Sequence, residues 1–189
     1  MPKPNKVMIV MASPRPDGNS TALAREAARG AEAAGAEVKT VRLAALSFGP
    51  CRACDLCRKP QAKGCVQDDD LKALQADLKA ADGLLIASPV YWFTMSAQAK
   101  LFMDRLYVFG AAGYRELKGK RIGIILTSGD ADLRSSGAVN AMSAFKDAFA
   151  YLGAPIAGMI HFGGGQAGAA LKNKKIMQEA YALGRALAL

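Results

Sequence analysis

An α/β fold, a doubly wound parallel sheet in a single domain, is the architecture this sequence predicts. Three observations carry the prediction. Short apolar runs alternate with segments of helical period along the whole chain, and each of the five runs is followed by at least one such segment. No internal repeat, low-complexity tract or linker interrupts the series. Strands joined through helices pair in parallel and are covered on both faces, so they read as continuous apolar runs rather than alternating ones. With 189 residues the chain can bury a substantial core.

The first run, "KVMIVMAS" (6–13), ends in a turn signal, as a buried strand does. "NSTALAREAARGAEAAG" is an Ala-rich helix on which Leu23, Ala27 and Ala31 share one face, with Gly35 as its stop. "AEVKTVRLA" is the second strand. A helix from about Asp68 to Ala81 precedes the third strand, "GLLIASPVYW". "AQAKLFMDRLYVF" is helical, "KRIGIILTSGD" is the fourth strand, and "AVNAMSAFKDAFAYLG" is a helix. "APIAGMIHFGGG" is the fifth strand, and "AALKNKKIMQEAYALGRALAL" is a closing helix. The long connection between strands 2 and 3 holds a cysteine-rich insertion at about 47–67.

Composition narrows the classes. With 51% hydrophobic and 22% charged residues, the chain is globular rather than disordered. No apolar run reaches the roughly 20 residues that a membrane helix needs. The start reaches a strand too soon for a signal peptide. A cytoplasmic protein with no membrane partner is therefore expected. The formal charge of +9 is spread out, with small concentrations at "RELKGKR" (115–121) and "LKNKKIM" (171–177). Neither is interleaved with aromatics, so no nucleic acid is expected. Solvated helix ends account for the charge; so does a field that draws a phosphorylated cofactor or an acidic redox protein.

Ligands of doubly wound sheets bind outside the carboxyl ends of the strands, at the switch in strand order. The loop after strand 1 is "SPRPDGNST" (13–21). It lacks both the G-x-x-x-x-G-K-S/T of nucleoside triphosphatases and the G-x-G-x-x-G of dinucleotide folds. It suits a single terminal phosphate. Gly18 permits close backbone approach, and Asn19, Ser20 and Thr21 put donors at a helix N-terminus, where free amides and the helix dipole favour an anion. Ser13 and Arg15 close the cradle from the strand side. A plain helix cap needs only one such residue, either Asn19 or Ser20.

Together with "SPVYWFTMSAQAKLFMDR" (88–105), this loop resembles the flavodoxin-like NADPH-dependent FMN reductase family over nearly the whole chain. The resemblance implies a non-covalent FMN with its phosphate on Ser13, Arg15, Asn19, Ser20 and Thr21. It also implies the flavodoxin-like five-stranded order 2-1-3-4-5 and assembly as a homodimer or homotetramer. In the third loop, Pro89 stiffens the turn. Backbone amides of Val90, Tyr91, Trp92 and Phe93 reach the polar edge of an isoalloxazine ring while their side chains wall it; core aromatics after a strand are the plainer alternative. Ser96 caps the next helix, and Lys100 and Asp104, four apart, form a surface pair.

The loop after strand 4, "TSGDADLRSSGA" (127–138), borders the ring in that family, which puts Thr127, Ser128 and Gly129 in the cofactor site. Asp130 and Asp132 read as solvated loop acids. His161, the single histidine, stands at a strand end and reads as structural. No nicotinamide fingerprint is present, and none is needed where NAD(P)H stacks directly on the flavin. The catalytic residues are unknown, because the cofactor carries the chemistry of hydride transfer.

All four cysteines, Cys51, Cys54, Cys57 and Cys65, lie in "CRACDLCRKPQAKGC" (51–65), spaced C-x2-C-x2-C-x7-C. In a reducing compartment such a cluster is a ligand set or a redox centre before it is a pair of disulfides. Three readings stand. Thiols two residues apart wrap the corners of a 4Fe-4S cubane while the fourth returns across a loop, and this compact motif is similar to that of iron–sulfur flavoproteins, a branch of the same superfamily. Zinc takes four thiolates, though its usual C-x2-C knuckles are well separated. The third reading is a thiol loop with no metal, either vestigial or redox-active, with Arg52, Arg58 and Lys59 near enough in sequence to favour the thiolate. The whole predicts an FMN-dependent oxidoreductase with NAD(P)H or a redox protein as donor and a flavin, quinone or other acceptor. The alternative is an iron–sulfur electron carrier between redox proteins.

Overall fold

The computed structural model describes residues 4–189. Strand β1 (Lys6–Met11) lies between β2 (Glu37–Arg42) and β3 (Gly83–Tyr91), and β5 (Arg121–Ser128) and β6 (Ile156–Gly163) extend the sheet beyond β3. All four pairings are parallel, in the order β2-β1-β3-β5-β6. Counted as five long strands, this is the expected 2-1-3-4-5. A sixth strand, β4 (Thr94–Met95), corrects the five-strand expectation. It folds back antiparallel on the end of β3, with Val90 opposite Met95 and Tyr91 opposite Thr94. Two residues are too few to show a period in sequence.

The pleat of β1 divides the core. Met8 and Val10 face α2 (Asp70–Ala73), α3 (Gln75–Ala80), α4 (Ala97–Arg105) and α5 (Ala138–Tyr151), where Phe102, Phe145 and Phe149 are fully buried. Val7, Ile9 and Met11 face α1 (Asn19–Ala33) and α6 (Lys174–Leu187). These last two helices cross at glycine. A Cβ on Gly30 would strike the carbonyl of Tyr181, and one on Gly184 would strike that of Ala27. Their backbones thus approach as closely as only glycine permits.

Helix boundaries differ from expectation in three places. The helix expected over 68–81 is broken at Leu74, whose amide bonds the Leu71 carbonyl three residues back (3.2 Å) and so tightens that turn. Helix α4 stops at Arg105 and passes into a 3₁₀ stretch, Leu106–Ala112. The closing helix begins only at Lys174, because Asn173 Oδ1 accepts the Ile176 amide (3.2 Å) and caps it there. Among the described residues no helix is long and apolar enough to cross a membrane.

Candidate functional site

The chain leaves β1 toward β2 and returns on the other side to β3, so the strand order switches between β1 and β3. At the carboxyl ends of those strands opens a cleft of about 470 Å³. Four loops meet there. Ser13, Arg15, Gly18, Asn19 and Ser20 come from the loop after β1, and Pro89, Val90 and Tyr91 from the end of β3. Thr127, Ser128 and Gly129 follow β5, and Gly165 and Ala167 follow β6. Eleven of the fourteen cofactor-site residues expected from sequence thus line one surface, out of the thirteen residues that do.

The first loop is built to receive an anion. Gly18 is the N-cap of α1, and no side chain caps the helix, so neither Asn19 nor Ser20 plays that plain role. The amides of the first turn have no partner within the helix. Ser20 is buried, and its Oγ makes no hydrogen bond. A buried hydroxyl without a partner costs free energy, and this one borders the cleft. Ser13 Oγ accepts the Arg15 amide (3.1 Å), and a Cβ on Gly18 would press on that oxygen. These groups fit a terminal phosphate.

Two expected phosphate donors act differently. Thr21 does not line the cleft, because its Oγ1 donates to the Arg15 carbonyl (3.3 Å) and holds the loop's shape. Asn19 reaches across to the loop after β6: its Nδ2 donates to the Gln166 carbonyl (2.8 Å), and its Oδ1 accepts the Ala170 amide (3.1 Å). Its side chain joins two walls of the cleft, which leaves its backbone amide for a ligand. Gly165 and Ala167 therefore belong to the site. The position of their loop after the last strand was the available signal.

On the ring side, Val90 and Tyr91 line the cleft, whereas Trp92 and Phe93 lie outside its lining. Trp92 and Phe93 form the two-residue turn between β3 and β4, with φ of 48° and 64° and relative exposures of 93% and 57%. Two positive φ values in succession are the hairpin pattern usually given to Asn-Gly, so bulky aromatics hold it under strain. The turn is braced by Asn140 Nδ2, which donates to the Phe93 carbonyl (3.1 Å). Pro89 lies within β3, paired in register with Thr127, rather than in a turn. Its missing N–H faces the side that β1 has already left, so no ladder bond is lost. Ser96 caps α4 as expected, accepting the Ala99 amide (3.3 Å), and Lys100 meets Asp104 at 2.7 Å on the surface.

Behind the β5 wall, His161 Nε2 lies 2.7 Å from Ser128 Oγ, which in turn donates to the Asp130 carbonyl (2.6 Å). The hydroxyl proton is spent on that carbonyl, so the imidazole donates from Nε2. Burial pushes the His161 pKa down, and the Asp130 and Asp132 carboxylates draw it back less strongly. The histidine orients a residue that lines the cleft. Asp130 is occupied in its own loop, accepting Ser135 Oγ (2.6 Å) and the Asp132 amide (3.0 Å).

A second cavity, of about 330 Å³, is lined by Cys51, Cys54, Cys57 and Cys65 with Arg105, Tyr107 and Val108. None of the four cysteines is in a disulfide. Ala53 and Asp55 take positive φ between them, folding the segment so that all four border one space. The Cys57 thiol is pushed up first by burial, then by the charges of Cys65, Cys51 and Cys54. One zinc ion needs its thiolates about 2.3 Å from a single point. Among the described residues no three Cys, His, Asp or Glu groups gather to hold one ion. A cluster spreads its ligands over several iron atoms, which suits four cysteines that border one cavity.

The loop is anchored by groups that spacing did not single out. Arg105 is 6% exposed and grips Asp69 with both terminal nitrogens, at 2.6 and 2.9 Å. It also donates to the Gly49 carbonyl (3.0 Å) and to Cys65 Sγ (3.5 Å). Asp69 caps α2 as well, so the acidic run that opens that helix serves the cysteine loop too. Tyr107 donates to Asp55 (2.7 Å) and accepts from Arg58 (3.0 Å). The clue to these residues is a basic side chain in an otherwise apolar helix face, which is ambiguous without the fold.

Sheet order, cleft position and anion cradle define a flavodoxin-like protein of the flavoprotein oxidoreductase class. Residues 5–175 match the family described as NADPH-dependent FMN reductase. The chain belongs to that family, in its iron–sulfur flavoprotein branch. It is 41% identical over 100 residues to an iron–sulfur flavoprotein of Methanocaldococcus jannaschii, a match covering 53% of this chain and 51% of that one. It is 31% identical over 160 residues to the iron–sulfur flavoprotein of Methanosarcina thermophila, covering 84% and 81%. The chain thus spans about half the length of the first relative and four-fifths of the second. The same fold occurs in the NAD(P)H:quinone oxidoreductase from Methanothermobacter marburgensis, with a TM-score of 0.78, 18% identity, and 99% of this chain and 98% of that one covered. A flavodoxin from the domain Archaea shares it with a TM-score of 0.62 at 15% identity, covering 97% and 96%.

Proposed function

We propose that this protein is an FMN-dependent oxidoreductase that takes electrons from NAD(P)H or a reduced redox protein and delivers them to a flavin, quinone or other acceptor, with an iron–sulfur cluster as its one-electron partner. One observation carries the flavin assignment: the unpartnered, buried Ser20 hydroxyl at the open N-terminus of α1, in a cleft at the strand-order switch. Ser20 and the first-turn amides hold the phosphate, while Arg15 supplies charge from the rim. Val90 and Tyr91 on one side and Thr127, Ser128 and Gly129 on the other border the ring and limit its contact with water. FMN, when bound, supplies both hydride and single-electron chemistry. Cys51, Cys54, Cys57 and Cys65 hold the cluster, which supplies single-electron exchange. An iron–sulfur cluster is supported by the four cysteines that line one cavity and by the names of the relatives, and four thiolates suit its 4Fe-4S form. A cytoplasmic homodimer or homotetramer completes this reading.

A second reading is favoured by the cysteine cavity itself. With a cluster there, the protein can serve as an electron carrier between redox partners instead of as a reductase with its own substrate. Two measurements separate these possibilities. An ultraviolet–visible spectrum of anaerobically purified protein, with iron and sulfide assayed on the same sample, tests the cofactors. Flavin bands over a broad shoulder with near-stoichiometric iron and sulfide are expected; flavin alone removes the cluster, and neither removes the proposal. NAD(P)H oxidation without any added partner protein then supports the reductase, and its absence supports the carrier.

A further inference from the structure

Arg105 is the last residue of α4, and its guanidinium has four protein contacts: two to Asp69, one to the Gly49 carbonyl and one to Cys65 Sγ. Its side chain is 5% exposed and that of Asp69 14%, whereas the other ion pairs each keep at least one side chain largely in solvent. Burying an ion pair is costly, and apolar residues clasp a loop at least as well. A clasp explains the bonds to Asp69 and Gly49. It does not explain why the fork is turned so that a remaining N–H meets the sulfur of the fourth cysteine.

We infer that Arg105 is a positioning residue that holds Cys65 and, through its N–H and positive charge, raises the reduction potential of the iron–sulfur cluster. The inference rests on the cluster reading above. Reduction adds one electron to the cluster with no bond formed or broken, and the cluster becomes more negative. A cationic donor on a ligand sulfur stabilises that reduced form, because net charge and hydrogen bonds to the sulfurs set such potentials. Asp69 fixes the plane of the guanidinium and thereby the direction of the N–H. Lysine lacks the fork that serves carboxylate and sulfur together.

The test is an anaerobic redox titration with dithionite as reductant, the cluster followed by electron paramagnetic resonance and the flavin by absorbance. Arg105→Met removes the donor but strands the Asp69 carboxylate. Arg105→Met with Asp69→Asn removes both charges and keeps a side chain able to cap α2. At a fixed ambient potential the reduced-to-oxidised ratio of the cluster is expected to fall about tenfold in the double variant, equal to about 59 mV for a one-electron couple, with the flavin potential unchanged. Arg105→Lys is expected to recover part of the loss. An unchanged cluster potential in the folded double variant overturns the inference, as does a folded double variant that takes up no iron, since Arg105 is then a loop clasp alone. Wild-type protein that takes up no iron and sulfide is a different result, which removes the cluster reading and this inference with it.

Discussion

Ser96 Oγ donates to the carbonyl of Ala12 at 2.8 Å, joining residues 84 positions apart. Ser96 also caps α4, and its amide donates to Ser88 Oγ (2.9 Å). One fully buried hydroxyl therefore ties the root of the 13–21 loop to the helix that follows the β3–β4 hairpin. The two sides of the cleft are held at a set distance before any ligand arrives, so less ordering remains to be done on binding. Ser96→Ala leaves the Ala12 carbonyl buried without a partner and removes a cap. Its expected cost is about 1–3 kcal/mol of folding stability, read from the urea midpoint, together with weaker FMN binding. An unshifted midpoint would show that another group takes over the carbonyl.

Ser20→Ala separates binding from stability. The hydroxyl has no partner within the protein, so its removal leaves the folding stability of the flavin-free protein equal or raised. Its loss from the phosphate site is expected to weaken FMN about tenfold, roughly 1.4 kcal/mol. Riboflavin, which lacks the phosphate, serves as control and binds both forms alike. Equal loss for the two ligands would move Ser20 away from the phosphate.

His161 predicts a pH effect of defined sign. Its folded pKa is held below the ordinary value by burial, so the unfolded chain takes up the proton first, near pH 6.5. The contribution is fully present above that pH and is lost as the pH falls through the folded value. The thermal midpoint of wild-type protein should thus fall more steeply below pH 6.5 than that of His161→Gln. Parallel profiles would show that the imidazole titrates alike in both states.

The α1–α6 crossing predicts intolerance of a single methyl group. Gly184→Ala drives a Cβ into the Ala27 carbonyl, a backbone atom with no rotamer to escape through. The helices must separate, at an expected cost of about 1–3 kcal/mol in denaturant unfolding. An unperturbed midpoint would mean that α6 slides at little cost.

Much of the fold was legible because it depends on local pattern. Continuous apolar runs mark buried parallel strands, and Gly35 punctuates a helix by rules that act within a few residues, whereas the Asn173 cap lies inside the helix expected from sequence. The hairpin strand β4 and the break at Leu74 were not legible, being shorter than any period. In the cleft, loop position pointed to Ser13, Ser20, Tyr91 and Thr127, because strand order sends every such loop to one edge. Sequence could not say which polar atoms are already engaged. Asn19 and Thr21 look like ligand donors in the chain and are structural ties in the fold.

By itself, the sequence determined the doubly wound topology, the loops that meet at its switch point, and the concentration of thiols in one segment. These follow from periodicity, chain direction and residue chemistry, which need no neighbours distant in the chain. Only the tertiary structure decided which groups remain free for a ligand and which are spent. It left Ser20 without a partner, turned Trp92 and Phe93 outward, and brought Arg105 from another helix to Cys65. Each of these outcomes depends on burial and on contacts between remote residues, and hydrogen-bond satisfaction is a property of the packed interior rather than of any local stretch.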